Sequence, residues 1–127
     1  MNMLGQEVRT PLVIERSAFK KIVVAGAGTR TTVLENVSSI HGVYVDLLLK
    51  ATVNLSKVEL VFWGAAKQVS YTVQVSGALA AGTNLGIRYG GSGALATGEP
   101  IGDTFDVVVT NAVAGAGTTT AWVAVRS

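Results

Sequence analysis

From Gly42 to Ser76 the chain alternates apolar and polar residues in three runs, the first two parted around Asn54 and Ser56 and the last two at Gly64. Val43, Val45, Leu47 and Leu49 alternate with Tyr44, Asp46, Leu48 and Lys50, and a period of two puts the two sets on opposite faces of a strand. Leu48 interrupts the polar set, which predicts a strand covered on both sides. In the second run Val58, Leu60 and Phe62 share one face, with Glu59, Val61 and Trp63 on the other. In the third, Val69, Tyr71, Val73 and Val75 alternate without exception with Ser70, Thr72, Gln74 and Ser76, the pattern of a half-buried strand. These runs are expected to be the central strands of a core that includes Phe62, Tyr71 and Phe105.

The flanks continue the same pattern. Lys20–Ala25 reads as a strand, turned by Gly26-Ala27-Gly28, and Thr29–Val37 returns with Thr31, Val33 and Glu35 on one face. Residues 77–103 are rich in Gly, Ala, Ser and Thr, with one strand at Leu85–Tyr89. Thr104–Thr110 and Thr118–Arg126 close the chain, with Trp122 out of phase with Val123 and Val125 and open to a place in the core or at an interface. Ala78–Ala81 has room for one helical turn, but flanking Gly argues against more. The phrase Val-Ala-Gly-Ala-Gly-Thr occurs at 24–29 and again at 113–118, and Ser-Gly-Ala-Leu-Ala at 76–80 and again at 92–96. Two copies at unequal spacing do not make a repeat array; they are reused turn chemistry, in which Gly supplies positive φ and Ala keeps the loop small.

Composition agrees. Twenty Val and 13 Thr favour strands, and 15 Gly against two Pro favour short turns. The expected fold is all-β: a single β-sandwich, jelly-roll-like or Greek key, of about eight strands. Residues 1–19 are expected to form an N-terminal arm or edge strand, with Leu12, Val13 and Ile14 after Pro11, and residues 20–127 the sandwich domain.

Charge narrows the function. Only 14% of residues are charged, well below the usual quarter or so, which fits a surface partly turned toward a protein partner. The ten basic residues are scattered, with Lys20-Lys21 the only adjacent pair, so no nucleic-acid stripe is expected. No apolar run is long enough to span a membrane, and the N-terminus lacks the pattern of a signal peptide. Asn36-Val37-Ser38 and Asn54-Leu55-Ser56 match the glycosylation sequon but are read as chance without a secretion signal.

The candidate chemistry is thin. Lys21–Gly28 has the look of a dinucleotide-binding strand and turn, with Asp46 near the place of a ribose-binding acid. The third small residue is missing, however: Thr31 stands there and a strand follows. The chain has no cysteine and one histidine, His41, which leaves no usual zinc set and no nucleophile beside a base. Glu99, Asp103 and Asp106 lie close in sequence, but their spacing matches no calcium loop, and a glycosidase pair among Asp46, Glu59 and these acids has no supporting pattern. The chain is expected to have no catalytic residues, no metal site and no cofactor.

In texture, segments such as VQVSGALAAGTNLGIRYGGSG and VVVTNAVAGAGTTTAWVAVRS resemble the small, cysteine-free β-sandwich virion proteins of tailed bacteriophages, of the decoration and tail type. The resemblance implies a non-enzymatic structural protein of the virion, assembled in the host cytoplasm. It would be a homo-oligomer in contact with other virion proteins, with no nucleic acid and no membrane as partner. The interface candidates are Leu12, Val13 and Ile14 in the arm, Leu48, Val61 and Trp63 on the second strand face, and Tyr44. The alternative is a carbohydrate-binding or receptor-binding sandwich, in which Tyr44 and Trp63 share an outer face as a sugar platform.

Overall fold

The computed structural model describes residues 17–24, 26–90 and 100–127. Leu12, Val13 and Ile14, and with them the expected arm, lie outside the described residues. Eight strands form: β1 (Ser17–Val24), β2 (Arg30–Ser38), β3 (Tyr44–Ala51), β4 (Leu55–Gly64), β5 (Val69–Ser76), β6 (Leu85–Gly90), β7 (Thr104–Asn111) and β8 (Gly117–Arg126). They make two four-stranded sheets, a first of order β1-β8-β3-β6 and a second of order β2-β7-β4-β5. Every pairing is antiparallel. Apart from the β4–β5 hairpin, every connection crosses between the sheets, which is the strand order of a jelly-roll sandwich. Both candidate topologies named from the sequence reduce to this one.

The alternating runs decide which side chains fill the space between the sheets. Val45, Leu47 and Leu49 from β3 meet Val58, Leu60 and Phe62 from β4 and Val107 and Val109 from β7, all buried. Phe62 lies 5.3 Å, centroid to centroid, from Tyr89 of the other sheet and 5.5 Å from Phe105, so an aromatic cluster ties the two layers. Tyr89 can enter this core because its hydroxyl donates to the Pro100 carbonyl at 3.2 Å, sparing the cost of a buried unpaired donor.

Four expectations need correction. β3 and β4 are central strands, but β5 is the edge of its sheet. Its apolar face therefore lacks cover on one side, and Tyr71 (49% exposed) and Val69 (61%) are not core residues. In β2 the simple alternation fails because the register shifts at two places: Val33 and Leu34 are both buried, while Glu35 is exposed. Leu48 is not covered on the outside of β3; it is 54% exposed. The short Ala78–Ala81 segment is no helical turn: Leu79 makes a two-way backbone bridge to Leu55.

The echoed phrases at 26–28, 76–80 and 115–117 fall in or beside turns at one end of the sandwich, and the copy at 92–96 lies outside the described residues. Gly26 and Gly28 take φ of 83° and 77° in the β1–β2 turn, which an L-residue adopts only at a cost. Gly28 N–H donates to Asn111 O, next to the β7–β8 turn that holds the second copy. Four connections gather at this end, and residues 26–29, 52–54, 77–84 and 112–116 contain no charged side chain.

Candidate interaction surface

Register fixes what the outer face of the first sheet presents. Leu48 is paired with Trp122 on one side and Gly86 on the other, and Trp122 with Phe19 of β1. One row further, Lys50 pairs with Thr120 and Thr120 with Lys21. In the opposite direction Asp46 pairs with Arg88 and Ala124, and beyond them Tyr44 with Arg126. The face thus has a row built on Leu48 and Trp122 at its middle, basic residues on both flanks and exposed Val23 on its edge strand. Gly86 adds no side chain beside Leu48, and a shallow groove of about 390 Å³ opens there, lined by Leu48, Leu49, Lys50, Asn84, Leu85, Thr120 and Trp122.

One flank is held rigid by charge. Asp46 accepts from Arg88 Nε at 2.7 Å and Nη2 at 2.9 Å, and from Arg126 Nε at 3.0 Å. The Arg88 guanidinium lies 4.3 Å from the centroid of the Tyr44 ring, within cation–π range. The hydrogen bond from Arg88, followed by that from Arg126, holds the Asp46 carboxyl below its usual range against the opposing effect of burial. A bidentate pair fixes the plane of the guanidinium as well as its position, so Tyr44, Asp46 and Arg88 form a preset polar border to the apolar row.

The outer face of the second sheet is different. Glu59 accepts from Arg30 Nε at 3.1 Å and Nη2 at 3.0 Å, and Lys57 Nζ lies 3.6 Å from its other oxygen. Asp106 accepts the Trp63 indole N–H at 3.1 Å and the Asn36 backbone N–H at 2.9 Å, and Lys67 lies 5.6 Å from the centroid of the Trp63 ring. Val61, between these groups, is only 8% exposed. Large exposed apolar side chains on an outer face are thus found, among the described residues, on the first sheet.

The predicted site residues therefore separate. Tyr44 and Leu48 lie outward on the first sheet, Val61 and Trp63 outward on the second, because β3 and β4 belong to different sheets. The sugar platform expected from Tyr44 and Trp63 does not form: the two rings sit on opposite sides of the sandwich. Trp122 is the residue that sequence reasoning left undecided. Its phase was the available signal, since Ala121, Val123 and Val125 are buried on the inner face and Trp122 must point outward. The contributions of Lys21, Arg88 and Arg126 depend on strand order and had no local signature.

Among the described residues no three His, Cys, Asp or Glu side chains gather. Glu99 lies outside those residues. His41 is exposed in the β2–β3 turn at φ 64°. A second hollow of about 470 Å³ lies at the uncharged end of the sandwich, lined by Asn54, Leu55, Ser56, Ala78, Leu79, Ala80 and Ala112; none of these side chains titrates.

No protein-family model matches the chain, and no curated protein matches it. Among solved structures, it aligns with a protein from work on Bacillus endospore appendages that form a family of disulfide-linked pili. The two are 15% identical with a TM-score of 0.45, and the alignment covers 99% of this chain and 98% of the other. The aligned protein belongs to a bacterial endospore appendage and not to a phage, which overturns the expected role in a tailed-phage capsid or tail. The chain itself has no cysteine, so a disulfide link between copies is closed to it.

Proposed function

We propose that this chain is a non-enzymatic structural subunit that assembles with copies of itself, using the outer face of the first sheet as a contact surface. The observation that carries this reading is Leu48, a large apolar side chain 54% exposed at the centre of a four-stranded sheet beside Trp122. On a monomeric sandwich the outward positions of a central strand are ordinarily polar. A contiguous apolar row with a polar border is the anatomy of a protein contact. The low overall charge points the same way, and the bidentate Asp46–Arg88 pair supplies a rim that needs little ordering on contact.

Leu48→Asn tests the reading. Burying the exposed part of one Leu side chain stabilises a contact by ~2 kcal/mol, so the variant should dissociate roughly thirtyfold more readily in sedimentation equilibrium. At dilutions where both are monomeric its thermal midpoint should match the parent's, since the side chain is largely outside the core. Unchanged association with an intact fold would remove this face from the contact.

A further inference from the structure

Among the described residues the two sheets end on four edge strands, β1 and β6 in the first and β2 and β5 in the second. An edge strand presents unpaired N–H and C=O groups that another strand can extend, and proteins block this with Lys and other charges, with bulges, or with short edges. Three of the four edges carry such devices. β1 has exposed Lys20 and Lys21 at its middle. β2 has two register shifts and the exposed charges of Arg30 and Glu35. β6 is the shortest strand, with two glycines, Gly86 and Gly90, and the charged Arg88 among its six residues.

β5 carries none of these. Val69–Ser76 contains no charge, no Pro and no Gly, and its ladder with β4 runs unbroken from Val69 to Gln74. Val69, Tyr71, Thr72, Val73 and Val75 are all residue types that favour strands. Val69 and Tyr71 point toward the inner side of the sandwich yet stay 61% and 49% exposed, so apolar surface remains open where the sheet stops.

We propose that β5 pairs antiparallel with β5 of a second copy, joining two four-stranded sheets into one of eight strands. The occupant follows by elimination: the other three edges resist pairing, so the edge that matches β5 is β5 itself. Self-pairing sets no like charges across the ladder, because the strand has none. A two-fold axis satisfies both copies at once, as an isologous contact requires. Opposed residues in such a pair point to the same face. Val69, Tyr71 and Val73 of the two copies then cover one another on the inner side, and Ser70, Thr72 and Gln74 form a polar row outside. This surface is separate from the outer face of the first sheet, so the inference does not depend on that contact.

Cysteine cross-linking tests it. The chain has no cysteine, so a single introduced one reports only contacts between copies. Ser70, Thr72 and Gln74 are exposed, and Ser70→Cys, Thr72→Cys and Gln74→Cys leave the core untouched. The three variants are oxidised alone and in pairwise mixtures, and the disulfide dimers are identified by mass. A disulfide needs Cα atoms within about 7 Å, and a slip of two residues displaces a pair by ~7 Å along the strand. One register therefore allows one set of combinations, such as Thr72 with Thr72 together with Ser70 with Gln74. That set should cross-link at least tenfold more than the remaining combinations. It should exceed by the same factor Thr32→Cys, an exposed position on β2 at the other edge of the same sheet. Leu48→Asn should leave the pattern unchanged, and its loss in that background would tie the cross-link to the first sheet and overturn the inference. Equal yields at every position would mean random collision, and no yield at any would mean that the β5 edge is closed to a second copy; either result overturns the inference.

Discussion

Replacing Gly102 with alanine would put a Cβ 2.3 Å from the Trp63 carbonyl oxygen and 3.0 Å from its carbon. The obstacle is backbone, and that backbone is committed: Trp63 O accepts the Asp103 N–H at 2.8 Å, in the segment that leads into β7. Gly102 is held from its other side as well. Its carbonyl accepts the hydroxyl of Ser39 at 2.7 Å, and Ser39, 1% exposed, also donates its N–H to Asp103 O. Relief of the contact requires the 102–103 segment to move away from β4. That gives up a backbone hydrogen bond, of order 1 kcal/mol, and strands the buried Ser39 hydroxyl, at ~1–3 kcal/mol. The expected loss is ~2–4 kcal/mol. Urea unfolding followed by tryptophan fluorescence measures it as a lower midpoint at constant slope. A loss under about 0.5 kcal/mol, the range of an ordinary surface substitution, would refute the close approach of these two segments.

Other expectations follow from the same structure. Phe62→Ala removes the ring that joins the two sheets and should cost ~3–5 kcal/mol in the same assay. Ala66→Gly should stabilise the β4–β5 hairpin by ~0.5–1 kcal/mol, because Ala65, Ala66 and Lys67 sit at φ of 50°, 54° and 70°, a conformation costly for L-residues by more than the added freedom of an unfolded glycine. Asp46→Asn should destabilise the chain at neutral pH. Because the folded carboxyl titrates below its unfolded value, its stabilising effect is present above about pH 4, the ordinary Asp range, and lost as pH falls through the folded value. The parent and variant stability curves should therefore converge in acid; a gap that persists at pH 2 would assign the effect to packing rather than charge.

The fold was largely legible in the sequence because strands with one buried face declare themselves by period. β3, β4, β7 and β8 follow their apolar alternation, and the Gly-rich phrases at 26–28 and 115–117 mark turns that need small residues. β5 shows the limit of the signal. Its alternation is the most regular in the chain, yet it lies at a sheet edge where Tyr71 and Val69 remain exposed, since periodicity reports which side chains share a face and not whether anything covers it. β2 fails differently: its bulges put Val33 and Leu34 both inside, and a period of two cannot anticipate an inserted residue. The surface was half legible. Leu48 announced itself as an apolar residue in a polar phase, but the row it forms with Trp122 joins residues far apart in the chain, and grouping Tyr44 with Trp63 failed because successive strands alternate between sheets.

The central claim, that the chain assembles with itself, is tested most directly by its molar mass in solution across a concentration series. Light scattering from the purified chain should give a weight-average mass that climbs with concentration above the 13.1 kDa of one chain. A mass that stays at a single 13.1 kDa species up to the highest concentration reached would contradict the account.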